Sequence, residues 1–150
     1  MNNLLPTINE IVQYGLDPNI AISHKGIALE KSLLKIYSMS LDIEFEEDET
    51  EYPEYVRPKT LTISKNVTSN FKDFGCCYRV VSDVLDFDDL DLECSTADGD
   101  LSEIICDLLE VKWRIENNSL ADGLWQLDFN FRNQTQHHIL GLLTYLRERR

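Results

Sequence analysis

Between residues 100 and 146 the apolar residues recur at helical spacing, and this constrains the fold more than any other feature of the chain. Leu101, Ile104, Ile105, Leu108, Val111 and Ile115 fall on one stripe of a helix that Asn117 and Asn118 close. Asp100-Leu101-Ser102-Glu103 has the N-cap and N3 chemistry of a capping box, with Asp in place of the usual Ser or Thr, and predicts that this helix starts there. Ser119 is placed to cap a final helix running to about Tyr145, with Leu120, Leu124, Leu127, Phe131, Leu142 and Tyr145 as its main stripe. Trp125, Phe129, Ile139, Leu143 and Leu146 widen that stripe, and so broad an apolar surface predicts a central helix packed against several neighbours.

The remaining segments are consistent with this pattern. Residues 3–14 predict a short amphipathic helix with Leu5, Ile8, Ile11 and Val12 on one side, Pro6 tolerated in the first turn, and Gly15 and Asp17-Pro18 ending it. From Ile22 to about Asp42, Ile27, Leu34, Tyr37 and Leu41 recur every three to four residues or multiples of that spacing, with Leu29, Leu33 and Ile36 beside them. The stretch EFEEDETEYPEYVRPK then combines a charge run with Pro53 and Pro58, which remove backbone donors, and predicts a partly disordered acidic loop. LTI alternates like a short strand, yet VTSNF and YRVVSDVL carry helical spacing broken at Gly75, so helices are expected over about 62–71 and 76–85, followed by the acidic linker DFDDLDLECSTADGD. The short connections and the absence of internal repeats predict an all-α protein, a single domain over residues 1–150 built as a bundle of about five helices.

Charge constrains function more than any motif does. Fourteen Lys and Arg stand against 27 Asp and Glu, a net charge of −13, which repels nucleic acid and anionic membranes and attracts cationic partners. Sixteen of the 27 acids crowd into two stretches, residues 42–54 and 83–100, more than solubility requires. Glu44, Glu46, Glu47, Asp48, Glu49 and Glu51 in the loop, with Asp86, Asp88, Asp89, Asp91 and Glu93 in the linker, are therefore the candidate partner-binding residues. The N-terminus has neither the basic region nor the apolar run of a secretory signal, so a cytoplasmic protein with Cys76, Cys77, Cys94 and Cys106 as reduced thiols is expected.

No catalytic or cofactor constellation emerges. An EF-hand started at Asp86 would place Asp91 where the turn glycine belongs, so the linker does not read as a calcium site. Glu103, Asp107 and Glu110 have the spacing of a magnesium-binding helix face, but they read as a solvated face opposite the apolar stripe. His137 and His138 point about 100° apart on a helix and cannot share one metal. His138 falls on the apolar stripe as a hydrogen-bonded core histidine, and with Asp128, Arg132 and Gln136 it suggests a buried polar network that sets helix register. Cys76 and Cys77 lack a neighbouring base or oxyanion motif, and phosphate-cradling glycine loops are absent. Neither cofactor nor enzymatic activity is expected.

Three stretches, NFKDFGCCYRVVSDVLD, GDLSEIICDLLEVKWRIENNSLADGLWQLDFNF and RNQTQHHILGLLTYL, resemble an acidic, all-helical bacterial family grouped as a domain of unknown function (DUF5063-like), over roughly residues 27–147. The resemblance implies a helical bundle and a bacterial source, and it supplies no catalytic residues. The expected function is a non-enzymatic binding domain for a basic protein, most concretely an immunity protein that neutralises a cationic toxin such as a nuclease. The alternatives are a metal-dependent hydrolase of the helical-bundle type and a structural or adaptor subunit.

Overall fold

Helix α4 (Ala97–Asn117) is the axis of the molecule, and α1 (Leu4–Leu16), α3 (Thr60–Asn70), α5 (Leu120–Asn130) and α6 (Gln136–Glu148) all pack against it. Helix α2 (Lys25–Leu41) closes the outside of the bundle against α1 and α6. The computed structural model describes residues 2–75, 77–81 and 93–149, with backbone alone for 77–81 and 93–94. The fold is an all-α bundle with five helical rods among the described residues, because a π turn (Phe131–Thr135) joins α5 and α6 into one continuous rod. The central rod is thus α4 and not the C-terminal one, whose Leu120, Trp125 and Phe129 are exposed instead of buried.

Several boundaries differ from the sequence-based expectation for identifiable reasons. Thr96 caps α4 by accepting a hydrogen bond from Gly99 N–H at 3.2 Å, so the helix begins one turn before Asp100. Asp98 and Asp100 then occupy the first turn and Arg114 the last, each favourably placed against the helix dipole. Gly15 lies inside α1, where a Cβ would stand 2.8 Å from Ile63 and 2.9 Å from Ile105; it permits a close helix approach and does not end the helix. In α2 the core is built by Leu29, Leu33 and Ile36, while Ile27, Leu34 and Leu41 face outward. Ser119 caps α5 through a 3.0 Å bond from the Asp122 amide.

The expected helix over 76–85 is corrected by the backbone of residues 77–81, which form strand β1 (Cys77–Val81). It pairs antiparallel with β2 (Glu93–Thr96), matching Val81 to Glu93 and Cys77 to Thr96, with an irregularity between Cys77 and Arg79. A YRVV segment suits an extended backbone as well as a helix, and pairing decides between them. An aromatic cluster fastens the preceding turn to the bundle: Phe71 stacks on Phe74 at 4.4 Å, Phe74 meets Tyr145 edge-on at 5.3 Å, and the Tyr145 hydroxyl donates to the Asp73 carbonyl at 2.8 Å.

Candidate functional site

The acidic loop is an extended strap, residues 43–59, that lies along α4 and is tethered at both ends and in the middle. Pro53 and Pro58 keep it out of a helix, and the side chains between and around them hold it down. Ile43 and Phe45 pack on the core at its start. Asp48 then accepts hydrogen bonds from the Ser119 hydroxyl at 2.5 Å, the Tyr52 hydroxyl at 2.7 Å and the Thr50 amide at 3.1 Å. Tyr55 packs on Trp113 with ring centroids 5.5 Å apart, and Arg57 pairs with Glu103 at 2.7 Å and Asp107 at 3.2 Å. The contacts with residues 119, 113, 107 and 103 fall in descending order, so the strap runs antiparallel to α4.

These tethers separate Asp48 from its neighbours. Its hydrogen bonds, that of Ser119 foremost and then Tyr52 and Thr50, hold its carboxyl well below the usual carboxylate range. Asp48 is therefore an anchor, whereas Glu44, Glu46, Glu47, Glu49 and Glu51 point to solvent and take part in no ion pair among the described residues. Of the second acidic stretch, Asp86, Asp88, Asp89 and Asp91 lie outside the described residues, as does Cys76, and for Glu93 only the backbone in β2 is described.

Beside the strap, α5 presents an exposed aromatic face. Trp125 and Phe129, one turn apart, stack with centroids 5.4 Å apart and planes 15° from parallel, and they are 45% and 50% exposed. A cleft of about 330 Å³ separates this face from the strap, lined by Glu47, Asp48, Glu49, Ala121, Asp122 and Trp125. Asp122 is paired with Arg114 at 3.0 Å, a guanidinium it shares with Glu110, and it also accepts from Asn118 at 2.8 Å. The cleft carboxylates with neither a hydrogen bond nor an ion pair among the described residues are therefore Glu47 and Glu49.

The carboxylates along α4 do not form a solvated face. Asp107 is 1% exposed and accepts from the Thr135 hydroxyl at 2.7 Å and from Gln134 Nε2 at 2.9 Å to both oxygens, in addition to Arg57. At about 100° per residue Asp107 lies only some 40° from Val111, on the edge of the apolar stripe and not opposite it. The π turn supplies both Gln134 and Thr135, its extra residue shifting the phase of the rod so that they reach α4. Asp100, also buried, accepts from Ser95 Oγ at 3.1 Å and lies 2.9 Å from His138 Nδ1; this hydrogen bond raises the imidazole pKa against the opposing effect of burial. Glu110 pairs with Arg114 at 2.9 Å.

The expected network of Asp128, Arg132, Gln136 and His138 divides into three unconnected contacts. Arg132, 75% exposed at the side chain, pairs with Asp128 at 2.8 Å on the surface, because its position on the rod faces solvent. Gln136 donates to the Tyr37 hydroxyl at 2.9 Å across to α2, and His138 turns to Asp100. Among the described residues no group of three His, Cys, Asp or Glu side chains is gathered to hold a metal ion, and no helix is long and apolar enough to cross a membrane. Cys106 is a buried free thiol whose pKa burial pushes up. The chain matches no protein-family profile, no curated protein and no solved structure.

Proposed function

We propose that this chain is a non-enzymatic, cytoplasmic binding domain that engages a basic protein through the strap face, in the manner of an immunity protein occluding a cationic toxin. The observation that carries this reading is the contrast within the strap. Asp48 is tied down by three hydrogen bonds, while the glutamates around it are exposed and in no ion pair among the described residues, beside an exposed aromatic pair. An anchored backbone presents those charges at little ordering cost on binding, and exposed aromatics amid charge are the composition of an interface core and rim. The DUF5063-like resemblance, a bacterial origin and a nuclease as the toxin belong to the same proposal.

The test is to isolate the partner from the source cell and measure its association rate with wild type and with E46K/E47K/E49K over a salt series. Association slowed at least tenfold by the triple variant, and falling with salt for wild type, supports the reading; rates that change in neither case refute it. A second reading, the adaptor subunit, is favoured by one observation: Ile27, Leu34 and Leu41, seven residues apart on α2, are all exposed. Binding through that stripe would persist at high salt and be lost on L34E.

A further inference from the structure

The exposed aromatic face of α5 and the cleft beside it specify more than a generic positive charge. Leu124 and Leu127, on the same helix, are buried in the core, so the exposure of Trp125 and Phe129 follows from where their positions point and not from a loose helix end. Because Phe129 stacks on Trp125 with planes 15° from parallel, it covers one face of the indole and leaves the other for a ligand. Trp125 lines the adjoining cleft together with strap residues Glu47 and Glu49. The cleft's other two acids already have hydrogen-bonded partners, so a ligand there meets an indole ring and two carboxylates that form no ion pair among the described residues.

Complementarity to both the ring and the carboxylates selects among cationic groups. A lysine ammonium satisfies the carboxylates, but it is compact and strongly hydrated and has no plane to lay on a ring. A guanidinium is planar, less strongly hydrated, stacks on indole, and carries N–H donors in a fork that suits carboxylates. We propose that this cleft receives an arginine side chain of the basic partner, its guanidinium lying on Trp125 and its N–H groups donating to Glu47 and Glu49. The inference rests on the basic-partner reading and deepens it: the strap attracts any cation, and the cleft chooses arginine. Trp125 then acts as the aromatic anchor of the interface, with Phe129 holding its ring in place.

The experiment is fluorescence anisotropy of two labelled peptides, eight arginines and eight lysines, titrated with the full chain and its variants at low and physiological salt. The arginine peptide is expected to bind at least fivefold tighter than the lysine peptide, and W125A to abolish that difference by weakening the arginine peptide alone. W125F should keep part of the preference, and it guards against a folding defect in W125A, as do unchanged far-UV circular dichroism and melting temperature. E47Q/E49Q should weaken the arginine peptide more than E44Q/E46Q, which removes equal charge outside the cleft. Equal affinities for the two peptides, insensitive to W125A yet salt-dependent, would overturn the arginine cleft and leave the basic-partner reading standing. Failure of both peptides to bind at low salt would overturn both.

Discussion

Replacing Asp107 with alanine should destabilise the protein by about 3 kcal/mol. Asp107 is the hub at which α4, the strap and the π turn meet, receiving hydrogen bonds from Thr135, Gln134 and Arg57. Hydrogen bonds to a charged group contribute roughly 1.5–3 kcal/mol each, and breaking a buried ionic network from one side costs about 3–5 kcal/mol. The lower end applies here: Arg57 is 40% exposed and retains Glu103, and Gln134 is exposed, so water replaces Asp107 for both. Thr135 is 1% exposed and keeps the full penalty of an unpaired buried hydroxyl. For a chain of this size about 3 kcal/mol corresponds to a melting temperature lower by roughly 6–12 °C. Urea unfolding followed by circular dichroism, with the slope unchanged, measures it directly. D107N, whose amide oxygen still accepts from Thr135, should lose about half as much, and a D107A/T135V cycle should show a coupling of about 1 kcal/mol or more. A D107A variant within about 1 kcal/mol of wild type would refute this account and show that the cost of dehydrating the carboxylate cancels what its partners return.

Three further outcomes follow from the packing. The folded pKa of His138 lies above the unfolded value near 6.5, so its pairing with Asp100 contributes stability that is complete below about pH 6.5 and is lost as pH rises through the folded pKa; thermal melts of wild type should therefore lose more stability than H138Q between pH 6 and pH 8.5. A Cβ at Gly123 would collide with the Ile115 side chain where the ends of α4 and α5 pack together, so G123A should cost about 1–3 kcal/mol in urea unfolding, with I115A/G123A recovering part of it. In the strap, D48A should lower the melting temperature by releasing Ser119 and Tyr52, whereas E46K/E47K/E49K should leave it unchanged or raise it; equal effects would show that Asp48 is not an anchor.

The helices were legible wherever one periodic stripe had no rival. The stripe from Leu101 to Val111 is buried throughout, and Ser119 caps α5, because periodicity and capping are properties of a few neighbouring residues. The strap's lack of helix was equally local, written in Pro53 and Pro58. Its ordering was not, since the tether from Asp48 reaches Ser119, 71 residues away.

Residue order alone determined that this chain is an acidic helical bundle, where most of its helices run, and that its excess charge concentrates in two stretches. Tertiary structure decided everything that depended on which face meets which. In α2 two apolar stripes lie side by side, and only the neighbours α1 and α6 select Leu29, Leu33 and Ile36 for the core over Ile27, Leu34 and Leu41. Residues 77–81 become a strand because residues 93–96 are there to pair with them. Asp107 and Asp100 can be buried because Arg57, Thr135 and His138 come from 50, 28 and 38 residues away to satisfy them. A carboxylate on a helix carries no local mark that distinguishes burial from solvation: the difference is set by distant donors, and whether they arrive is decided only when the helices pack.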